Sequence, residues 1–286
     1  MKKVIIKNSV KIIDNNYVIK KKIFEIDNLF NYLSSRSFNN YPLIIKEDND
    51  NIYYEYINDM IEPKEQKILD LVLLLSTLHN KTTIYKEVDL DSFKLLYESI
   101  NNQIDDVYSY YEELMNIINE NVFMSPANYL IARNSSMIFN AINFSKDELE
   151  KWYELIKNKR KIRLATIHNN ISLDHYLKGN KPYLISWDHS KIDIPIYDLI
   201  SLYKNHYLDF DFINIFKLYF NKYPLSKEEM ILFLVLISIP DKIKYYNSEY
   251  KTVNNVRKII DYIYKSSSIV NEFGLKEENI KEENDK

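Results

Sequence analysis

The chain has 286 residues, 46% of them hydrophobic, no cysteine and a formal net charge of −3. That length and apolar content can fill a core without staples, and the lack of cysteine excludes disulfides, thiolate zinc sites and cysteine nucleophiles. Charges of both signs are spread along the chain, so there is no basic field for nucleic acid and no polybasic membrane anchor.

Val4-Ile5-Ile6, Val10-Lys11-Ile12-Ile13 and Tyr17-Val18-Ile19 read as strands, the last two joined by a tight turn at Asp14-Asn15-Asn16. Apolar residues at Ile23, Ile26, Phe30 and Leu33 predict a short helix. Pro42-Leu43-Ile44-Ile45 and Ile52-Tyr53-Tyr54-Glu55-Tyr56 flank the turn-forming Glu47-Asp48-Asn49-Asp50, a second hairpin. After Pro63, the residues Ile68, Leu71, Val72, Leu75 and Leu78 mark one face of a helix. A stripe over 91–120 predicts one extended helix, or two with a kink. Ser145 with Glu148, and Ser226 with Glu229, carry the capping-box spacing and predict two helix starts. Between those starts, 162–167 and 182–187 read as extended segments around a polar loop.

The longest apolar runs, 71–75 and 231–237, fall well short of the roughly 20 residues that span a bilayer and read as core helices. The N-terminal apolar stretch is too short for a signal peptide, so a cytoplasmic protein that engages neither membrane nor nucleic acid is expected. A shift in composition near Met60 divides an N-terminal lobe, 1–60, from a helical lobe, 61–274. The tail, 275–286, is charged and lacks the apolar content to dock.

Four segments carry more than periodicity. They are Leu75-Ser76-Thr77-Leu78-His79, Ile167-His168-Asn169-Asn170-Ile171-Ser172-Leu173-Asp174-His175, Leu184-Ile185-Ser186-Trp187-Asp188 and Pro195-Ile196-Tyr197-Asp198-Leu199. In this order they resemble the helix after the hinge, the catalytic loop (roughly His-Gly-Asp-Leu-His-Pro-Gly-Asn), the metal-binding strand and the Pro-x-Tyr-Asp-Leu helix start of the aminoglycoside phosphotransferase and choline kinase family. The resemblance spans 17–237, and its specific part is 168–199. It implies an α+β, two-lobed, protein-kinase-like fold with a small antiparallel-sheet N-lobe and a mainly helical C-lobe. The chain also resembles the bacterial spore-coat kinase-like branch, which would make it an assembly component.

The departures from the family pattern bear on chemistry. Phosphoryl transfer in this fold needs a carboxylate base, oxygen ligands for magnesium and donors around the phosphates. The base position falls on Asn170, whose amide cannot accept a proton near neutral pH. The metal positions fall on Ser186 and His175, a hydroxyl and an imidazole in place of a carboxylate and an amide. Only two glycines occur, Gly179 and Gly274, so no glycine loop can approach phosphate. Lys20 stands where the family's phosphate-contacting lysine would be, with Glu25 or Asp27 as partner acids; Lys21 and Lys22 are adjacent alternatives, and a solvated lysine is the bland reading.

Asp188, with Asp174, is a candidate substitute base or metal ligand, or else a structural carboxylate. His168 is assigned loop support, and Asp198 the capping of the helix that follows it. His168, His175 and His189 do not follow a zinc spacing and read as loop histidines. The leading expectation is a catalytically impaired kinase-like protein, a pseudokinase, that binds an unknown small molecule or protein in the interlobe cleft and needs no cofactor. The alternative is a divergent phosphotransferase using ATP and magnesium.

Overall fold

A computed structural model describes residues 4–7, 10–13, 17–22 and 26–274. The expected turn at Asp14-Asn15-Asn16, together with Ile23, Glu25 and the tail, lies outside these residues. In chain order the elements are β1 (Val4–Lys7), β2 (Val10–Ile13), β3 (Tyr17–Lys21), α1 (Ile26–Ser35), β4 (Ile44–Glu47), β5 (Asn51–Glu55), α2 (Lys64–Thr82), β6 (Ile84–Glu87), α3 (Leu90–Glu120) and α4 (Pro126–Ile156). They continue with β7 (Lys161–Ile167), β8 (Tyr176–Lys178), β9 (Pro182–Leu184), β10 (Lys191–Asp193), α5 (Ile196–His206), α6 (Phe212–Lys222), α7 (Lys227–Ser238) and α8 (Glu249–Phe273).

The chain forms two compact units, the first made of Met1–Tyr85, Arg163–His206 and Asn214–Pro224. Its antiparallel sheet has the order β1-β2-β3-β5-β4, with Lys20 opposite Ile52. The hairpin turn before β5 forms as expected, because Asp48 Oδ1 accepts from the backbone N–H groups of Asp50 and Asn51 at 3.0 and 2.7 Å. Helix α1 buries Ile26, Phe30 and Leu33, the spacing that predicted it. Phe30 stacks on Tyr41 at 4.1 Å and meets the edge of Trp187 at 6.3 Å. Helix α2 buries the predicted stripe, and Ser76, His79 and Thr82 with it. Its first turns are tied to β8, where Lys178 Nζ donates to Glu62 and Asp70 at 2.7 Å each.

The second unit is Lys86–Ile162, Tyr207–Ile213 and Leu225–Lys286. Helices α3 and α4 are each a single 31-residue helix, so the 91–120 stripe is one extended helix. Buried residues on every side of α7, from Ile231 to Ile237, mark it as the core helix of this unit. The Ser226–Glu229 capping box that starts it has both reciprocal bonds. No helix among the described residues is long and apolar enough to cross a membrane.

Two expectations need correction. Ser145 starts no helix: it is buried inside α4, which begins at Pro126 with Ser125 as its N-cap. The Ser145 hydroxyl lies 3.0 Å from Ala141 O, one turn back, and 3.3 Å from Val235 O of α7. A serine that bonds the carbonyl four residues earlier satisfies itself within a helix, and its spacing to Glu148 then says nothing of a start. The strand expected over 182–187 ends at Leu184; Ser186 is left-handed and Trp187–His189 form a 3₁₀ turn. The short strands β6, β8 and β10 were not anticipated.

The correction to α4 yields a test by proline. In Lys227→Pro the ring falls at the first position of α7 behind an extended Ser226, and urea unfolding should show a change below about 1 kcal/mol. Lys146→Pro would be equally harmless if Ser145 were a cap. Inside a continuous α4 it should cost about 3 kcal/mol or more.

Candidate functional site

The site is organised around Asp198, in the first turn of α5 and buried in the first unit. Its carboxylate accepts from the backbone N–H groups of His168 and Asn169, each at 2.7 Å. It also faces His79 Nε2 at 3.2 Å, while His79 Nδ1 lies 2.6 Å from the Tyr219 hydroxyl. A carboxylate can only accept, so His79 donates to it from Nε2, and the Tyr219 hydroxyl engages the other ring nitrogen. Asp198 was expected to cap its own helix; its oxygens instead satisfy donors from a loop about thirty residues earlier in the chain. Leaving such buried donors unpaired would cost about 1–3 kcal/mol each.

The loop leaves β7 at Ile167, which is held in register by Lys191 of β10. The far end of α5 holds the loop a second time: Asn205 Nδ2 donates to Ile171 O at 3.1 Å, and Leu173 N donates to His206 Nε2 at 3.3 Å. His168 is buried and its Nε2 lies 2.7 Å from Ile185 O. A carbonyl only accepts, so Nε2 carries the proton. Burial pushes His168 below its ordinary 6.5, against the opposing charge of Asp198. The ring thus ties the loop to the segment that follows β9.

Three non-glycine residues among those described have left-handed backbones, and two of them, Asn169 (φ 57°) and Ser186 (φ 66°), lie here. Such a conformation costs about 1–2 kcal/mol for a residue with a Cβ, least for Asn, and persists where the surroundings enforce it. Asn169 occupies the glycine position of the catalytic-loop pattern, and its N–H is one of the donors held by Asp198. The left-handed Ser186 turns the chain so that Trp187 enters the core, its Nε1 donating to Leu184 O at 2.8 Å. Asp188 is thereby presented to the small sheet.

There the Asp188 carboxylate forms an ion pair with the Lys20 ammonium. Only 12% of the lysine side chain and 18% of the aspartate side chain are exposed. Tyr54 of β5 is part of the same surroundings: burial, then the charges of Asp188, Asp27 and Glu47, push its hydroxyl well above the ordinary value. His175 is engaged through Nδ1 with Asn170 O, and its ring lies 5.7 Å from that of His168. Asp174 and His189 are exposed. The described residues contain no group of three or more acidic or imidazole side chains placed to hold a metal ion.

Of the predicted residues, then, Lys20 and Asp188 meet directly, and His168, Asn170 and His175 share one loop. Asp174 is exposed. Sequence reasoning placed His79 in a resembling segment but gave it no role, and missed Tyr219 and Tyr54. The signal for His79 was present, a histidine closing the apolar face of α2, but its partners lie 119 and 140 residues away.

Solved structures with this fold exist. An aminoglycoside phosphotransferase from Alicyclobacillus acidocaldarius subsp. acidocaldarius DSM 446 superposes with a TM-score of 0.72 at 8% identity, covering 95% of this chain and 91% of its own. The chain has the protein-kinase-like fold of the aminoglycoside phosphotransferases. An AMP-bound spectinomycin phosphotransferase also aligns, at TM-score 0.51 and 13% identity over 90% of each chain. A choline kinase from Cryptosporidium parvum Iowa II gives 0.43 at 12% identity, covering 96% of this chain and 87% of its own. No protein-family model matches the chain, and no characterised protein matches it by sequence. The α+β fold implied by the aminoglycoside phosphotransferase motifs is therefore the fold observed.

The buried His168 gives the fold a pH signature. Its folded pKa lies below 6.5, so below about pH 6.5 the unfolded chain binds a proton there that the folded chain does not. The stabilisation is complete above that pH and is lost as pH falls, by at most about 1.4 kcal/mol per pH unit. Urea unfolding between about pH 7 and 5 should show this slope, and His168→Gln, which keeps a donor for Ile185 O but does not titrate, should flatten it. Equal slopes in the two proteins would refute the assignment.

Proposed function

We propose that the chain is a kinase-like protein impaired in phosphoryl transfer, which holds a small molecule or a protein partner between its small sheet and the loop from His168 to His175. The observation that carries this reading is the ion pair of Lys20 with Asp188. A lysine that contacts phosphate must offer its ammonium to the ligand, and a carboxylate that holds magnesium must offer its oxygens to the metal. Here each neutralises the other.

The remaining groups support the same reading. Asn170 stands at the base position with an amide of no useful basicity. Ser186 brings a hydroxyl, and His175 an imidazole already engaged with Asn170 O. Magnesium, a hard cation, prefers carboxylate and carbonyl oxygens, so this donor set does not fit magnesium–ATP. The loop scaffold around Asp198 is complete all the same, which suits a protein that keeps the site's shape for binding. We extend the proposal to a cytoplasmic location, supported by the cysteine-free composition.

One observation favours a second reading. The same ion pair keeps a lysine and an acid side by side, and a divergent phosphotransferase could open the pair around a nucleotide and use Asp188 as its base or metal ligand.

Isothermal titration with magnesium–ATP separates a missing donor set from a donor set of another kind. The wild type should show weak or no binding. In the Asn170→Asp, Ser186→Asp double variant the carboxylates return to the base and metal positions, and aspartate tolerates the left-handed backbone at 186. Magnesium-dependent affinity should rise at least tenfold. A folded double variant that binds no better than wild type would count against the proposed positions.

A further inference from the structure

The turn between α3 and α4, in the second unit, exposes three large apolar residues in succession. Val122 and Phe123 are 89% and 91% exposed, and Met124 is also exposed. Turn residues facing water are ordinarily polar, so a run of this kind needs a partner to justify it. The turn is not alone on this end of the bundle. Tyr245 donates to Asn128 Oδ1 at 2.8 Å, and the N–H of Ala127 donates to Glu249 Oε1 at 2.8 Å. These bonds fix the segment from Tyr245 to Tyr250 against the first turn of α4, beside the apolar tip. Tyr129, Tyr245 and the 74%-exposed Tyr250 thus extend the same surface.

The exposed area of these six residues comes to roughly 700 Å², taking an aromatic side chain as about 200 Å². A monomer's largest apolar patch is usually about 300–600 Å², and a stable complex buries about 800 Å² on each partner. Tyrosine, phenylalanine and methionine are also the residues enriched at interface centres.

We infer that this end of the helical unit is a self-association surface, and that its occupant is the same surface of a second copy of the chain. Charge decides among the candidates. A membrane-binding patch of this size would carry a basic cluster for anionic headgroups. Here the exposed neighbours are Glu120, Lys244 and Lys251, of both signs, while Glu249 is committed to Ala127 N–H. In a two-fold dimer the same patch meets itself, so a uniformly charged rim would repel its own image. A mixed rim around an uncharged centre has no such penalty.

Sedimentation velocity on the full chain, from low to high micromolar protein, tests this. The wild type should pass from monomer to dimer. A Val122→Asn, Phe123→Glu variant should weaken the dimer by at least tenfold with an unchanged melting curve, because both side chains are exposed. Leu95→Glu, at an exposed site in the first turns of α3, should dimerise like the wild type. A wild type that stays monomeric, a dimer that survives the tip variant, or one that Leu95→Glu disrupts equally would overturn the inference. So would a monomer whose binding to phosphatidylserine vesicles depends on Phe123.

Discussion

A buried carboxylate with every donor in place sets the conditions for the rest of the first unit. Asp198 has no exposed surface, and an ionised group in that position is tolerated only when its oxygens are fully engaged. It takes N–H groups from His168 and Asn169 and faces the imidazole of His79, which Tyr219 orients from α6. The loop and α2 therefore meet at one side chain of α5, with α6 joined through His79. The loop's conformation follows from that convergence, including the left-handed Asn169, whose N–H must point at the carboxylate.

None of these contacts involves the chemistry the loop would perform. Asp198, His79, His168 and Trp187 hold the loop by hydrogen bonds and ring packing. The bonds to Asp198 come from the backbone of His168 and Asn169 and from His79, and none uses the side chain of Asn170, Ser186 or His175. An aminoglycoside phosphotransferase only 8% identical superposes over 95% of the chain, so the fold does not require close agreement in sequence.

The legible parts of the sequence are those where cause and effect are local. The apolar face of α2, the capping box at Ser226 and the turn at Asp48 each rest on residues within a few positions, and each is found. The motif order from His168 to Leu199 pointed to the fold that the structure has. What could not be read depends on distance along the chain or on burial. Ser145 mimics a cap because the sequence does not tell whether its hydroxyl faces a free N–H or a carbonyl one turn back. Strands β6, β8 and β10 are three or four residues long, too short for alternation to register. Asp198 was expected to serve its own helix, since nothing in Pro195-Ile196-Tyr197-Asp198 names a partner about thirty residues earlier. Lys20 and Asp188 were each singled out, but their pairing joins positions 168 residues apart.

That pairing is where the functional account stands or fails. In an ion pair this sheltered, stripping one charge away would leave the other buried at a cost of about 3 kcal/mol or more. A nucleotide with its metal would have to break the pair and replace both halves. The most direct measurement is phosphate release from magnesium–ATP by the wild-type protein, at saturating nucleotide and beside a protein-free control. The account predicts a rate indistinguishable from the control. Robust release that disappears in Asp188→Ala would show that the pair opens to do chemistry, and would contradict it.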